Sequence, residues 1–318
     1  MNEYILKAEK FLDSCVFDGL AHSWDIVSKR WVKPYPEVTG YIIKYFCDNY
    51  SNVSENIMKS ADWLVALQDE QMGGFSSFEG KLLYAFDTSQ ILIGLCAIYR
   101  KTRNDKYLKA ALFAGDFLLS SQEQNGAFKP IYNKAVEAWV IRDETYALWN
   151  GPYSGLMCKL TEGLECLYKY SGDTRYKISK EKAASFYQDA KYIDYTHPLG
   201  YWLEGCFEAG KKELVKKIIE EKILVRIHPN GYIAYRDNLP YAYVSGVVQL
   251  GIILFKMGYE EYALKIRNYG RLVQSHDISG GLFQYATNKG NLDYHVHTEI
   301  NSWGTKYFCE LERLCEGK

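Results

Sequence analysis

The sequence predicts an all-α fold, an (α/α)6 toroid or six-hairpin barrel, formed by a single domain over residues 1–318. Amphipathic helical segments alternate with more uniformly apolar ones, and Gly-containing turns join them. Hairpins of this kind bury one another's apolar faces, so six of them close naturally into a ring. No Pro/Ser-rich linker or low-complexity run divides the series. An open solenoid is the alternative that the pattern leaves.

Twelve helical segments can be assigned as six pairs of one outer and one inner helix. Outer helices tend to end in a glutamine followed by a Gly-containing turn and an aromatic residue, as at 68–75, 122–128 and 274–283. The predicted pairs are 3–17 with 37–49, 54–68 with 84–101, 105–122 with 153–170, 177–190 with 197–209, 211–227 with 241–257, and 259–275 with 295–315.

The segment 84–101 is apolar almost all round, yet Asp87, Thr88 and Gln90 stand near its start. A helix without a polar face is buried on most sides, so these polar groups need a reason to be there. We expect the helix to lie in the inner layer, with its start facing a central cavity.

The composition excludes several classes of function. A net charge of −1 means that the chain has no excess of positive charge of the kind that binds nucleic acid. No apolar run reaches membrane-spanning length, and the N-terminal residues lack the basic start and apolar core of an export signal, so we expect a cytoplasmic protein. The eight cysteines form no CxxC pair and are expected to be packed as reduced thiols.

The inner helices of such a toroid all start on the same rim, so their first residues converge on one concave mouth, the default binding site. Tyrosine, with 28 residues, is unusually abundant and suits a wet cavity wall or a sugar face. We expect Asp87 and Glu299 to act as acid/base carboxylates, with His295 and Tyr241 assisting. The alternative for each carboxylate is a helix-capping or salt-bridged role.

His295 and Glu299 are four residues apart, which would place them on one face of the predicted last helix. A histidine oriented by a carboxylate is a plausible proton-transfer pair near neutral pH. As a metal site the group lacks a clear third ligand, so we expect neither a metal nor a cofactor.

Further residues at the helix starts and in the long loops are candidates for substrate binding. Arginines could clamp an anionic substrate, or form ordinary loop salt bridges with nearby carboxylates such as Asp237. Tryptophans could stack on sugar faces, or simply pack under the rim. These candidates are Trp31, Tyr35, Glu37, Tyr41, Gln90, Arg142, Trp149, Tyr153, His197, Arg236, Tyr243, His297, Asn301 and Trp303.

Several motifs together resemble a family. They are Pro36-Glu-Val-Thr-Gly-Tyr41, Asp62-Trp-Leu64 before Gln68, Phe86-Asp-Thr-Ser-Gln90, Ala114-Gly-Asp-Phe-Leu-Leu119, and Asn301-Ser-Trp303 with Lys306-Tyr-Phe308. They look like bacterial six-hairpin proteins associated with surface-polysaccharide biosynthesis. More distantly, they are similar to the C-terminal domain of glucuronyl C5-epimerases and to six-hairpin glycosidases. The resemblance implies the fold and chemistry on a sugar ring, and it assigns no individual residue.

The sequence therefore predicts a carbohydrate-active enzyme that modifies a sugar or oligosaccharide intermediate of a cell-surface polysaccharide by metal-independent acid/base chemistry. Epimerisation next to a uronate carboxyl and cleavage of a glycosidic bond both remain open. A non-catalytic glycan-binding subunit is the alternative, and it predicts cavity carboxylates that are fully paired. A protein-interaction toroid would instead show an apolar outer patch.

Overall fold

The computed structural model describes residues 2–76, 80–140, 151–275, 280–291 and 298–316. Within these ranges twelve helices alternate between an outer and an inner layer. The outer helices are α1 Glu3–Ser14, α3 Glu55–Leu67, α5 Asp105–Ser121, α7 Thr174–Tyr187, α9 Lys212–Ile218 and α11 Glu260–Leu272. The inner helices are α2 Pro36–Asn49, α4 Ala85–Thr102, α6 Leu160–Ser171, α8 Thr196–Glu208, α10 Val244–Lys256 and α12 Ser302–Leu314.

The inner helices form a closed ring. Each packs against the next along the chain, and α12 returns to pack against α2. Helices α4, α8 and α10 are buried along most of their length, as expected for elements covered by the outer layer on one side and by their neighbours on two more. The predicted (α/α)6 toroid is confirmed, and the contact between α12 and α2 rules out the open solenoid.

The glutamine that recurs at the ends of outer helices links consecutive outer helices by hydrogen bonds. The Nε2 atom of Gln68 donates to the carbonyl of Gly73 at 2.8 Å and to that of Ala110, on α5, at 2.9 Å. Gln122 makes the equivalent pair of bonds one hairpin later. Gln274 joins Gly280 to Tyr4 on α1, which closes the outer layer as well.

Short strands lie on the rim where the inner helices begin. Strand β1 Ala21–Asp25 pairs with β2 Arg30–Tyr35 and with β9 Glu299–Asn301, and β9 pairs with β7 Leu282–Phe283. Two smaller sheets contain β3 Leu82–Tyr84, β4 Ile131–Asn133 and β5 Ala138–Val140, and β6 Tyr241–Tyr243 with β8 Tyr285–Thr287. Strands β2, β3, β6 and β9 run directly into α2, α4, α10 and α12.

Three inner-helix predictions are wrong at their starts, in two cases because the residues form strands that pair with other segments. The predicted helix 241–257 begins only at Val244, since Tyr241–Tyr243 pair with Tyr285–Thr287. The predicted helix 295–315 begins at Ser302, since Glu299–Asn301 form β9. Helix α6 is preceded by a 3-10 turn, Gly155–Lys159, which the prediction had merged with it. None of the helices in the described part of the chain is both long enough and apolar enough to cross a membrane.

Candidate active site

Tyrosines occupy the residue just before four of the inner helices. Tyr35, Tyr84, Tyr195 and Tyr243 each have extended backbone at this position, and none caps its helix with a side-chain hydrogen bond. The rings of three of them line one cavity on the rim.

This cavity, which we call the mouth cavity, has a volume of about 360 Å³. That volume falls in the range of about 300–1,000 Å³ typical of small-molecule sites. The cavity is walled by aromatic rings with a few polar groups among them. Its lining residues are Tyr35, Glu37, Val38, Tyr41, Tyr84, Phe86, Asp87, His197, Tyr201, Tyr243 and Trp303.

Two carboxyl groups, Glu37 and Asp87, share the mouth cavity. They stand in the first turns of α2 and α4, which approach each other unusually closely through Gly40 and Gly94. A Cβ atom on Gly40 would lie 2.4 Å from the carbonyl oxygen of Gln90. Glu37 lies three residues before Gly40, and Asp87 lies three residues before Gln90. Both carboxyls are therefore about one helical turn nearer the rim than this close contact, and they lie side by side.

The surroundings favour the protonated form of this pair. Burial raises the pKa of Glu37 from 4.5 to about 7, against the opposing effect of its own backbone N–H. Burial also raises the pKa of Asp87 well above 3.8, and the neighbouring Glu37 charge raises it further. The pair therefore keeps a proton to higher pH than isolated carboxyl groups do.

His197, in the first turn of α8, is buried at the wall of the same cavity. Its Nδ1 atom lies 2.9 Å from Oε1 of Gln249, an acceptor, so Nδ1 carries the hydrogen and the lone pair is on Nε2. Burial lowers the pKa of His197 to about 3, only partly offset by the bond to Gln249. The imidazole is therefore neutral at physiological pH, which is the form that can accept a proton.

Gln249 is itself held in place. Its Nε2 atom donates to Glu204 at 3.0 Å, and Glu204 accepts in turn from Lys159 at 3.0 Å. All three side chains are buried. This chain fixes which way the Gln249 amide faces, and so it fixes the tautomer of His197.

The floor of the mouth cavity is made of tyrosines. Tyr41 donates to the hydroxyl of Tyr201 at 3.0 Å, and Phe86 packs edge-on against Tyr201 with ring centres 4.9 Å apart. Tyr201 and Phe86 were missed by the sequence reasoning. Tyr201 could have been found, because it follows His197 by four residues and so shares its helical face.

On another wall, Trp303 donates from Nε1 to the hydroxyl of Tyr243 at 2.9 Å, and its ring lies 5.0 Å from that of Tyr35, edge to face. Tyr35 separates the mouth cavity from a neighbouring groove of about 620 Å³, the Trp31 groove. Its lining residues are Phe17, His22, Arg30, Trp31, Val32, Lys33, Pro34, Tyr35 and Glu299.

Of the predicted site residues, the structure brings together in the mouth cavity Asp87, Tyr35, Glu37, Tyr41, His197, Tyr243 and Trp303. Glu299 and Trp31 lie across Tyr35 in the Trp31 groove. Glu299 lies in strand β9, so the prediction that it belongs to the last helix is wrong. Four predicted residues, Arg142, Trp149, His295 and His297, lie outside the described residues.

The other predicted residues have different surroundings. Tyr241 packs edge-on against Tyr285, and Tyr153 is 60% exposed beside Phe186. Asn301 caps α12 by accepting from the backbone of Gly304 at 2.7 Å.

Arg236 and Gln90 also lie away from the mouth cavity. Arg236 pairs with Asp194 at 3.2 Å, while its expected partner Asp237 pairs with Arg226. Gln90 lines a cavity at the other end of the toroid.

Several solved structures share this architecture. A cellobiose 2-epimerase from Bacillus thermoamylovorans matches with a TM-score of 0.75 at 13% identity, over 99% of each chain. The chain has the (α/α)6 toroid fold. A D-mannose isomerase matches with a TM-score of 0.73 at 11% identity, over 98% of this chain and 96% of that one. An unsaturated glucuronyl hydrolase specific for heparin matches with a TM-score of 0.70 at 13% identity, over 99% and 98%.

The sequence matches no protein-family model and no curated protein. At 11–13% identity, the structural likeness establishes the toroid and leaves the reaction to be argued from this chain's own residues.

Proposed function

We propose that this protein is a carbohydrate-active enzyme that transfers protons to and from a sugar held in the mouth cavity. The observation that carries the proposal is that the His197 imidazole and the Glu37–Asp87 pair line one cavity, where burial lowers the pKa of the imidazole and raises the pKa values of the carboxyls. A group that can accept a proton and groups that can donate one thus line the same cavity, as proton-transfer catalysis requires. The fold supports the proposal, because similar toroids include sugar epimerases, an isomerase and a hydrolase.

Epimerisation or isomerisation next to a carbonyl is the reaction that this pairing suits best. His197 Nε2 removes the proton from the carbon next to the carbonyl, and the acid form of the Glu37–Asp87 pair donates to the carbonyl oxygen. The carbonyl is restored when a proton returns to carbon and an enediol oxygen gives a proton back to the carboxyl pair. Protonation on the opposite face of the first carbon gives the epimer, and protonation of the former carbonyl carbon gives the isomer. The mechanism needs no metal, so we expect turnover to survive treatment with EDTA.

Hydrolysis of a glycosidic bond is a second candidate, favoured by the pairing of Glu37 with Asp87. Two carboxyls with raised pKa values can divide the roles of general acid and of base or nucleophile. This reaction consumes water and creates a new reducing end, whereas epimerisation does neither.

We further propose that the substrate is a sugar unit of a cell-surface glycan. The support is the resemblance of the motifs around Glu37 and Asp87 to proteins of surface-polysaccharide biosynthesis. The Trp31 groove beyond Tyr35 offers room for a second sugar unit.

A glycan-binding protein without activity is the competing hypothesis. It predicts cavity carboxyls with ordinary pKa values, whereas those of Glu37 and Asp87 are raised. The test is a panel of reducing disaccharides, hexoses, amino sugars and uronic acids, with products separated by chromatography. We expect a new epimer, isomer or reducing end with the wild type and a loss of at least about 100-fold in Asp87→Asn. Binding of a sugar by both proteins without any product would mean that the protein is a binder.

A further inference from the structure

A second cavity opens at the opposite end of the toroid. Several of its lining residues are the last residues of inner helices: Asn49 of α2, Glu208 of α8, Lys256 of α10 and Leu314 of α12. The mouth cavity lies where these helices begin, so the two cavities face opposite sides of the ring. We call the second one the basal cavity, and its volume is about 410 Å³.

Tyrosine rings separate the two cavities. Tyr41 lines both of them, Tyr201 lines the mouth cavity and Tyr307 the basal one. The Tyr41 hydroxyl donates a hydrogen bond to the hydroxyl of Tyr201, and the Tyr41 ring centre lies 6.1 Å from that of Tyr307. A ligand in the basal cavity therefore lies beneath this layer, apart from Asp87 and His197.

The charged groups that line the basal cavity already have ion-pair partners. Lys159 contacts Glu162 at 2.6 Å and Glu204 at 3.0 Å, and the pKa of Glu162 falls to about 2 beside it despite burial. An ionic ligand would have to break such a pair or leave a charge without a counterion. The remaining pairs are Lys44 with Asp48, Lys256 with Glu208, Lys306 with Glu310 and Arg313 with Glu9.

Gln90 is the exception among these satisfied polar groups. Its side chain lines the basal cavity and is 1% exposed, and neither Oε1 nor Nε2 has a hydrogen-bond partner among the described residues. An amide offers two donors and an acceptor, and leaving them unmet in a buried position is unfavourable. A hydroxyl group both donates and accepts, so neighbouring hydroxyls on one ligand would satisfy both ends of the amide.

We propose that the basal cavity is a second small-molecule site, which takes a neutral, polyhydroxylated ligand the size of a monosaccharide. Gln90 recognises neighbouring hydroxyls from the wall. The paired lysines and glutamates supply further donors and acceptors to a ligand that brings no charge of its own.

The experiment is a methyl NMR titration of the full chain with myo-inositol and D-glucose as neutral probes, and with succinate and putrescine as charged ones. Ile93 and Ile252 line the basal cavity and Val38 lines the mouth cavity, so their methyl signals report on the two sites separately. We expect saturable shifts of Ile93 and Ile252 with a neutral probe and none with the charged probes.

Two variants of α4 provide the specificity test. Gln90→Leu removes the amide at similar volume and is expected to weaken binding at the basal cavity at least about fivefold, with a Tm no lower than that of the wild type. Ser89→Ala is the matched control. Its hydroxyl is also buried without a partner among the described residues, but it packs against Gly163 of α6 and does not line the cavity. This variant should bind like the wild type.

Saturable shifts that are lost in Gln90→Leu and kept in Ser89→Ala support the proposal. Shifts with succinate or putrescine alone, equal binding by Gln90→Leu and the wild type, or no saturable shift of either isoleucine would overturn it. This test is independent of the function proposed for the mouth cavity, because Asp87→Asn should leave the ligand-induced shifts of Ile93 and Ile252 unchanged.

Discussion

Gly40 of α2 lies against the backbone of Gln90 of α4 so closely that a Cβ atom on Gly40 would come within 2.4 Å of the Gln90 carbonyl oxygen. The contact is mutual, since a Cβ on Gly94 would lie 2.6 Å from the carbonyl oxygen of Gly40. One turn nearer the rim, the same approach holds Glu37 beside Asp87. The position of the carboxyl pair thus depends on two residues that have no side chain.

Gly40→Ala should therefore destabilise the protein and reduce its activity. The added methyl group meets backbone, which cannot rotate away, so α2 and α4 must separate, at a cost of about 2 kcal/mol or more. Thermal unfolding and kcat/KM measure the two effects. Gly163→Ala is the matched control, because its Cβ meets the Ser89 hydroxyl at 2.8 Å, a group that can turn aside, and we expect its unfolding free energy to stay within about 1 kcal/mol of wild type. Equal stability of the two variants would contradict this role for Gly40.

The raised pKa of Glu37 predicts how stability depends on pH. Its pKa is about 7 in the folded protein and near 4.5 in the unfolded chain, so the folded state binds the proton more tightly. The contribution of Glu37 is complete below about pH 4.5 and is lost as the pH rises through about 7, by about 1–3 kcal/mol. Urea unfolding between pH 4.5 and 8 measures it.

Glu37→Gln should remove this part of the pH dependence and should be the more stable protein at pH 8. Glu55→Gln, on the exposed side of α3, is the control and should follow the wild type. If the curves of the wild type and of Glu37→Gln run parallel from pH 4.5 to 8, Glu37 does not hold a proton in the folded protein.

Replacing His197 should abolish turnover without unfolding the chain. His197→Asn removes the proposed base and should lower kcat/KM by about 100- to 10,000-fold on the substrate that the panel identifies. Because the pKa of His197 is about 3, the wild-type pH profile should show no inflection near 6.5 from this group. His228→Ala, an exposed histidine outside the mouth cavity, should keep full activity. Retention of activity by His197→Asn would remove the imidazole from the mechanism.

Lys159 is expected to be critical for folding, since it is the shared partner of two buried glutamates. Lys159→Met would remove the one cation among the described residues that contacts both Glu162 and Glu204, and we expect a loss of about 3–5 kcal/mol in the free energy of unfolding. Lys106→Met is the control. The pair of Lys106 with Asp62 is about half exposed, so its loss should cost at most about 1 kcal/mol. Similar losses in the two variants would mean that the buried group of Lys159, Glu162 and Glu204 contributes no more to stability than an exposed ion pair.

The sequence was sufficient for the toroid, because helix periodicity and the repeated glutamine turn are local signals. It also placed Glu37, Asp87 and His197 correctly at inner-helix starts. It could not show that Glu37 and Asp87 are neighbours, because that depends on the contact between Gly40 and Gln90, fifty residues apart in the chain.

The errors have local causes. A three-residue strand is too short to show the alternating pattern of apolar and polar residues that identifies a strand. The stretch 299–301 was therefore predicted to be helical, and Glu299 was grouped with Asp87. Gln90 was placed at the mouth, although three residues of helix carry it about 4.5 Å deeper than Asp87, below the tyrosine layer.

The measurement that tests the central proposal most directly is turnover in deuterated water. The wild type, Asp87→Asn and His197→Asn are incubated with the sugar panel, and the recovered sugars are examined by mass spectrometry and proton NMR. The proposal predicts deuterium at a carbon next to the carbonyl of one sugar with the wild type, and at least about 100-fold less with either variant. A new reducing end without deuterium on carbon would point to glycosidic hydrolysis. Sugar recovered unchanged and unlabelled, despite binding in the mouth cavity, would contradict the account.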